Sequence, residues 1–219
     1  MIEPVLSLRG VTVGYGRRLV FEDVAVDVLP GQGLGVLGRA GAGKTTLLRA
    51  AVGLLAPTRG DIRIGRTRAI EGPSRVKVAY FAGDATVPGA ARAIAWGRMG
   101  TGDDIVTDRR PIRALSRGTR QLLGLRTVLG RLGLRLIVLD EPWEGLDADG
   151  ARWLHDTVEA KRDQGAALVV SSQRLQELLP LCDAYLVLEH GRGRVLRAVD
   201  LAPSGTPTQE ALEAALASS

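Results

Sequence analysis

Over residues 5–13 and 20–28 apolar and polar side chains alternate with period two, which predicts two strands joined by Gly14-Tyr15-Gly16-Arg17-Arg18. Pro30-Gly31-Gln32-Gly33 is a turn, and the apolar run Leu34-Gly35-Val36-Leu37 behind it reads as a third strand. Helical spacing begins near Gly43 and stops near Gly53, a C-terminal glycine cap. Residues 61–64 and 76–81 form two further short strands. From Asp84 to Arg113 the pattern weakens, because Pro88, Gly97, Gly100, Gly102 and Pro111 interrupt short helical pieces. Apolar and helical stretches then take turns: helices over 119–131, 148–162 and 175–179, strands over 134–139, 166–170 and 184–188. That alternation predicts parallel βα units, hence an α/β fold with a mainly parallel sheet beside an antiparallel N-terminal hairpin. A small amphipathic helix over 206–217 follows a Pro/Ser/Gly linker. The 219 residues are read as one domain with a subdomain.

Composition narrows the class. No run has the apolar length of a membrane span and no signal peptide precedes the first strand, so a soluble, cytoplasmic chain is expected. The one cysteine, Cys182, excludes a disulfide framework and a Cys-based metal site, and it is assigned to the core. The net charge of +5 comes mainly from arginine, scattered along the chain, with aromatics at only 4%. Without a nucleic-acid motif this predicts a solvated surface and no sequence-specific nucleic-acid partner. Any use of the charge is weak docking to an anionic bilayer or a protein embedded in it.

The chemistry is concentrated in Gly38-Arg39-Ala40-Gly41-Ala42-Gly43-Lys44-Thr45-Thr46, which fits G-x-x-x-x-G-K-[ST] between a strand and a helix. Glycines let backbone N–H groups turn inward on a triphosphate, and the helix points its positive end at the anion. Lys44 is placed on the β- and γ-phosphates, and Thr45 offers its hydroxyl to Mg²⁺. Leu136-Ile137-Val138-Leu139 runs into a second constellation, Asp140-Glu141-Pro142. An acid at the carboxyl end of a core parallel strand beside a phosphate loop holds Mg²⁺, directly or through water, which assigns Asp140. Glu141 is then free to take the proton of an attacking water.

With these motifs in order, the chain resembles the ATP-binding-cassette (ABC) ATPases along essentially its whole length. The resemblance implies that Tyr15 stacks on adenine, a plain loop tyrosine being the alternative. It implies that Leu115-Ser116-Arg117-Gly118-Thr119-Arg120-Gln121 corresponds to the family signature Leu-Ser-Gly-Gly-Gln, heading a helix. Ser116 and Gly118 would then touch the γ-phosphate held by a second cassette, and Asp147 in Gly145-Leu146-Asp147 would lie in the loop that crosses the dimer. A shortened helical subdomain is expected over about 84–131, within a single ABC ATPase domain spanning 1–219.

Several positions depart from the family pattern. Arg117 replaces a glycine and Thr119 a glutamine. Gly83 or Asp84 stands where the family has a glutamine. Gln173 takes the place of the γ-phosphate-sensing histidine. His155, read as mid-helix, and His190, in the turn between the terminal strands, are expected not to replace it.

The resemblance implies an ATP- and Mg²⁺-dependent subunit, peripheral at the inner face of the membrane. It would pair with a second cassette, as homo- or heterodimer, and drive a polytopic membrane subunit on a separate chain. Small exporter-type cassettes, the haem-exporter type among them, are the most similar branch. The alternatives are a poorly hydrolysing structural half of a heterodimer and a soluble ABC ATPase that moves no solute. Coiled-coil DNA-repair and chromosome relatives are excluded by the short span between Lys44 and Asp140, and two-cassette translation factors by chain length. A small-molecule kinase would leave Leu115–Gln121 without a purpose.

Overall fold

The computed structural model describes residues 2–16, 18–71, 77–83, 111–201 and 207–217. The two alternating N-terminal segments pair antiparallel as β1 (Leu6–Tyr15) and β2 (Arg18–Val28). The apolar run is β3 (Gly33–Leu37), buried at every position, and it leads through the glycine-rich loop into α1 (Lys44–Ala51). Two strands, β4 (Arg59–Ile64) and β5 (Thr67–Arg68), extend the hairpin, with β4 antiparallel to β1. Next come β6 (Val78–Phe81), α2 (Arg117–Leu129), β7 (Leu136–Asp140), α3 (Ala148–Asp163) and β8 (Ala167–Ser171). The chain closes with α4 (Leu175–Leu178), β9 (Ala184–Glu189), β10 (Arg192–Arg197), α5 (Ala198–Leu201) and α6 (Gln209–Ala217).

The strands form one sheet in the order β5-β4-β1-β2-β10-β9-β3-β8-β7-β6. Strand β3 lies between β8 and β9 and is parallel to both, in keeping with the parallel pairing that the βα alternation predicts, and β7 runs parallel to both β8 and β6. The antiparallel β1–β2–β4–β5 part joins the parallel part through β10, which meets β2 at a single register pair, Arg192 with Glu22. Of the expected helical subdomain over 84–131, residues 84–110 lie outside the described residues; the remainder holds α2.

Side-chain alternation along the central strands divides the core into two layers. Leu136, Val138, Ala167 and Val169 pack on one face with Leu47 and Leu48 of α1, while Ile137, Leu139, Leu168 and Val170 pack on the other with Leu125 of α2 and Leu154 of α3. Cys182 is buried in the second layer, where burial pushes its thiol far above the usual range and keeps it an inert core residue. Leu48, on the helix α1 that follows the glycine-rich loop, is fully buried. Leu48→Ala should cost about 2–5 kcal/mol of unfolding free energy, read from the shift in denaturant midpoint.

Candidate functional site

Strands β3, β8 and β7 are neighbours and end on the same side, so their C-terminal residues converge at the mouth of the loop before α1. Asp140 is in register with Ser171, and Ser171 with Val36. A crevice beyond the carboxyl ends of parallel strands is where open α/β sheets collect ligands. The loop that fills it follows from its glycines. Gly43, the residue before α1, has φ of 103°, and a Cβ there would stand 2.6 Å from Val20 Cγ1. Gly41 turns with φ of 79°. With no side chain at these points the loop folds back tightly, and Leu47 N–H donates to Gly43 O at 2.9 Å to start the helix.

Lys44, only 7% exposed, donates to Gly38 O at 2.8 Å and stands 3.4 Å from Glu141 Oε1. An ammonium has three donors, so it can still meet a phosphate oxygen. Thr45 Oγ1 donates to Asp140 Oδ2 at 2.6 Å, and Ser171 Oγ donates to Asp140 Oδ1 at 2.7 Å. The hydroxyl of Thr45 and the carboxylate of Asp140 are a hard-oxygen pair of the kind Mg²⁺ selects, so these residues fit that ion. Glu141 Oε2 accepts from the backbone N–H of Gln173 at 3.2 Å. Its Oε1 is buried and accepts no hydrogen bond from the protein, so it answers Lys44 by charge and keeps acceptor capacity.

These groups line a cleft of about 880 Å³, a size suited to a small-molecule ligand. Arg39, Ala40, Gly41, Ala42, Gly43, Lys44, Thr45 and Thr46 form its floor, with Asp140, Glu141 and Gln173 on one side. Tyr15, Arg18, Leu19 and Val20 of the hairpin form the other side, and Tyr15 is 52% exposed there. Phosphate loop, acidic pair, Gln173 and Tyr15 are thus brought together. Ser116, Gly118 and Asp147 are not in that lining. Ser116 caps α2 by accepting from Thr119 N–H at 3.1 Å, and Asp147 caps α3 by accepting from Gly150 N–H at 2.8 Å. Gly118 lies against the Gly145 carbonyl, which a Cβ would approach to 2.4 Å, and Arg117 reaches Glu144 at 2.8 Å.

His190 occupies the β9–β10 turn, as expected; the bond from Glu22 N–H to Gly191 O at 2.8 Å joins that turn to β2, and His190 lines the cleft beside Glu189. His155, on α3 beside Asp156, lies outside the cleft as expected. Two residues to which the sequence reading gave no role also matter: Ser171, and Gln121 at the end of the signature-like stretch, whose buried amide donates to Glu141 O at 3.2 Å and Pro142 O at 3.0 Å. The signal for Ser171 was a hydroxyl closing an otherwise apolar central strand, beside the one that ends in Asp140.

The chain is similar to known proteins in sequence and in fold. The family model described as ABC transporter matches residues 21–144, a span that carries both the phosphate loop and the acidic pair. An uncharacterised ABC transporter ATP-binding protein of Bacillus subtilis (strain 168), YhcH, is 31% identical over 213 residues, covering 87% of this chain and 69% of that protein. The zinc import ATP-binding protein ZnuC of Halorhodospira halophila (strain DSM 244 / SL1) is 33% identical over 208 residues, covering 87% and 76%. Among solved structures, an ATP-binding subunit of an ABC transporter superposes with a TM-score of 0.82 at 22% identity, over 96% of this chain and 98% of that one. A dimeric ATP-binding cassette in a post-hydrolysis state, bound to ADP and Pi, superposes with a TM-score of 0.73 at 15% identity, over 88% and 98%.

Proposed function

The chain belongs to the ABC transporter family, and from that premise we propose that it is the ATP-hydrolysing subunit that powers a membrane partner on a separate chain. The observation that carries this is the meeting of Lys44, Thr45, Asp140 and Glu141 within hydrogen-bonding or ion-pair distance at the end of the parallel sheet. Backbone N–H groups of the loop and the Lys44 ammonium hold the triphosphate, and Tyr15 stacks on the base. Thr45 and Asp140 would hold Mg²⁺, which when bound neutralises charge on the phosphate oxygens. Water attacks the γ-phosphorus, its proton passes to the Glu141 carboxylate, and the bond to the β-phosphate oxygen breaks to release ADP and phosphate. Gln173 beside Glu141 supplies a neutral amide donor toward the γ-phosphate.

Ser116, Gly118 and Asp147 serve a second cassette in this proposal, since each stands outside its own chain's cleft. Among the described residues no helix is long and apolar enough to cross a membrane, which is consistent with a membrane subunit on another chain. ATP turnover of the chain co-purified with its membrane subunit should exceed that of the chain alone; equal rates without a complex would favour an ABC ATPase that moves no solute. A poorly hydrolysing structural half is the second reading. It is favoured by Gln173 and by Arg117, which is tied to Glu144 where the family signature has a glycine. Losing a preorganised donor at a developing anion costs on the order of 10²–10³ in rate, and a neutral replacement recovers part of it. Gln173→His is therefore expected to raise turnover by about tenfold, measured as phosphate release at saturating ATP. A rate that stays flat would remove Gln173 from the mechanism.

A further inference from the structure

Three non-glycine residues among those described have φ in the left-handed region, and Glu141, at φ of 44°, is one of them. A side chain that branches into a γ-carboxylate gains nothing from that conformation, so its surroundings must impose it. The peptide groups on both sides of Glu141 are held. Its N–H donates to Ser171 Oγ at 2.9 Å, and the same hydroxyl donates onward to Asp140 Oδ1 at 2.7 Å. Its carbonyl accepts from Gln121 Nε2 at 3.2 Å and from Glu144 N–H at 3.2 Å.

Ser171 is fully buried and Gln121 is 3% exposed. Burying an amide or hydroxyl is costly unless it is hydrogen-bonded. The low-cost solution for a polar side chain on a helix is a bond to its own backbone, which Thr127 makes on Leu123 O at 2.8 Å, one helical turn away. Gln121 sits on the same helix yet spends its amide on Glu141 O and Pro142 O, twenty or more positions away. Ser171 likewise bonds across to the neighbouring strand.

We infer that Ser171 and Gln121 are a positioning pair: they lock the Glu141 peptide in its left-handed turn and thereby aim its carboxylate beside Lys44 and the N–H of Gln173. The inference rests on the proposed role of Glu141 as general base. Neither residue touches the reacting atoms in this account; Gln121 acts through Glu141, and Ser171 through Glu141 and the Asp140 carboxylate it also holds.

The test uses the whole chain with Ser171→Ala, Ser171→Thr and Gln121→Met. A displaced base loses rate without losing substrate, so kcat for ATP should fall about tenfold or more in Ser171→Ala and in Gln121→Met, while KM stays within about twofold. Ser171→Thr keeps the hydroxyl and should recover most of the rate. Hydrogen exchange followed by NMR reads the lock without any activity: in Ser171→Ala the Glu141 amide should exchange at least about tenfold faster, with the amides of Ile137, Val138 and Leu139 as slow as before. Wild-type kcat together with wild-type exchange at Glu141 would overturn the inference. So would faster exchange along all of β7, since that would make Ser171 a general support of the strand. Glu141→Gln separates the two claims: if it turns over ATP as fast as the wild type, the base assignment fails, and the lock stands or falls on the exchange result alone.

Discussion

Replacing Glu141 by glutamine should lower ATP turnover by about 10²–10⁴-fold, the range for removing a positioned general base, while ATP affinity does not fall. Glutamine keeps the shape of the side chain, and the backbone that aims it is held from outside by Ser171 and Gln121. What disappears is the acceptor for the proton of the attacking water. Loss of the carboxylate also frees Lys44 from its partner at 3.4 Å and removes a negative charge from the phosphate site, so binding should stay the same or tighten. Steady-state phosphate release and a nucleotide titration on the same preparation separate the two effects. An unchanged rate would exclude Glu141 as the base.

Lys44→Ala should act on the other parameter. A charge-assisted contact to phosphate is worth roughly 1.5–3 kcal/mol, so Kd for ATP should rise by about one to two powers of ten. The side chain is buried, and its removal also strips Gly38 O of its donor and Glu141 Oε1 of its counter-charge. The variant should therefore be less stable without nucleotide and gain less in melting temperature at a fixed ATP concentration, because ligand stabilisation follows Kd. Wild-type affinity in Lys44→Ala would dissociate the loop from phosphate binding.

The two contiguous motifs were legible because their chemistry is compressed into short strings. A phosphate loop needs glycines, a lysine and a hydroxyl at fixed spacing, and a buried strand ending in Asp140-Glu141 needs only its neighbour's identity to acquire a use. Parallel pairing was legible from alternating βα segments, whereas the place of β3 between β8 and β9 came from the structure, since alternation fixes direction and not neighbours. Tyr15 and Gln173 came only through resemblance, since nothing local distinguishes a loop tyrosine or a post-strand glutamine; the fold puts both in the cleft lining.

What escaped the sequence depends on partners distant along the chain. Gln121 closes the signature-like stretch but that stretch gives it no role, and its value lies in the Glu141 carbonyl twenty positions on. His190 was placed in the right turn, but the path of that turn is set by one backbone bond to Glu22, which no pattern encodes. The junction of β10 with β2 is equally hidden, because Arg-Gly-Arg-Val-Leu-Arg alternates too weakly to declare which face or edge it presents.

The most direct test of the central claim is phosphate release from the purified chain mixed with ATP, with Mg²⁺ present and with Mg²⁺ chelated. The account predicts release that continues beyond one phosphate per chain, stops on chelation and falls about 10²–10⁴-fold in Glu141→Gln. Tight, stoichiometric ATP binding with no phosphate released under either condition would contradict it and leave the chain a structural half that binds ATP without cleaving it.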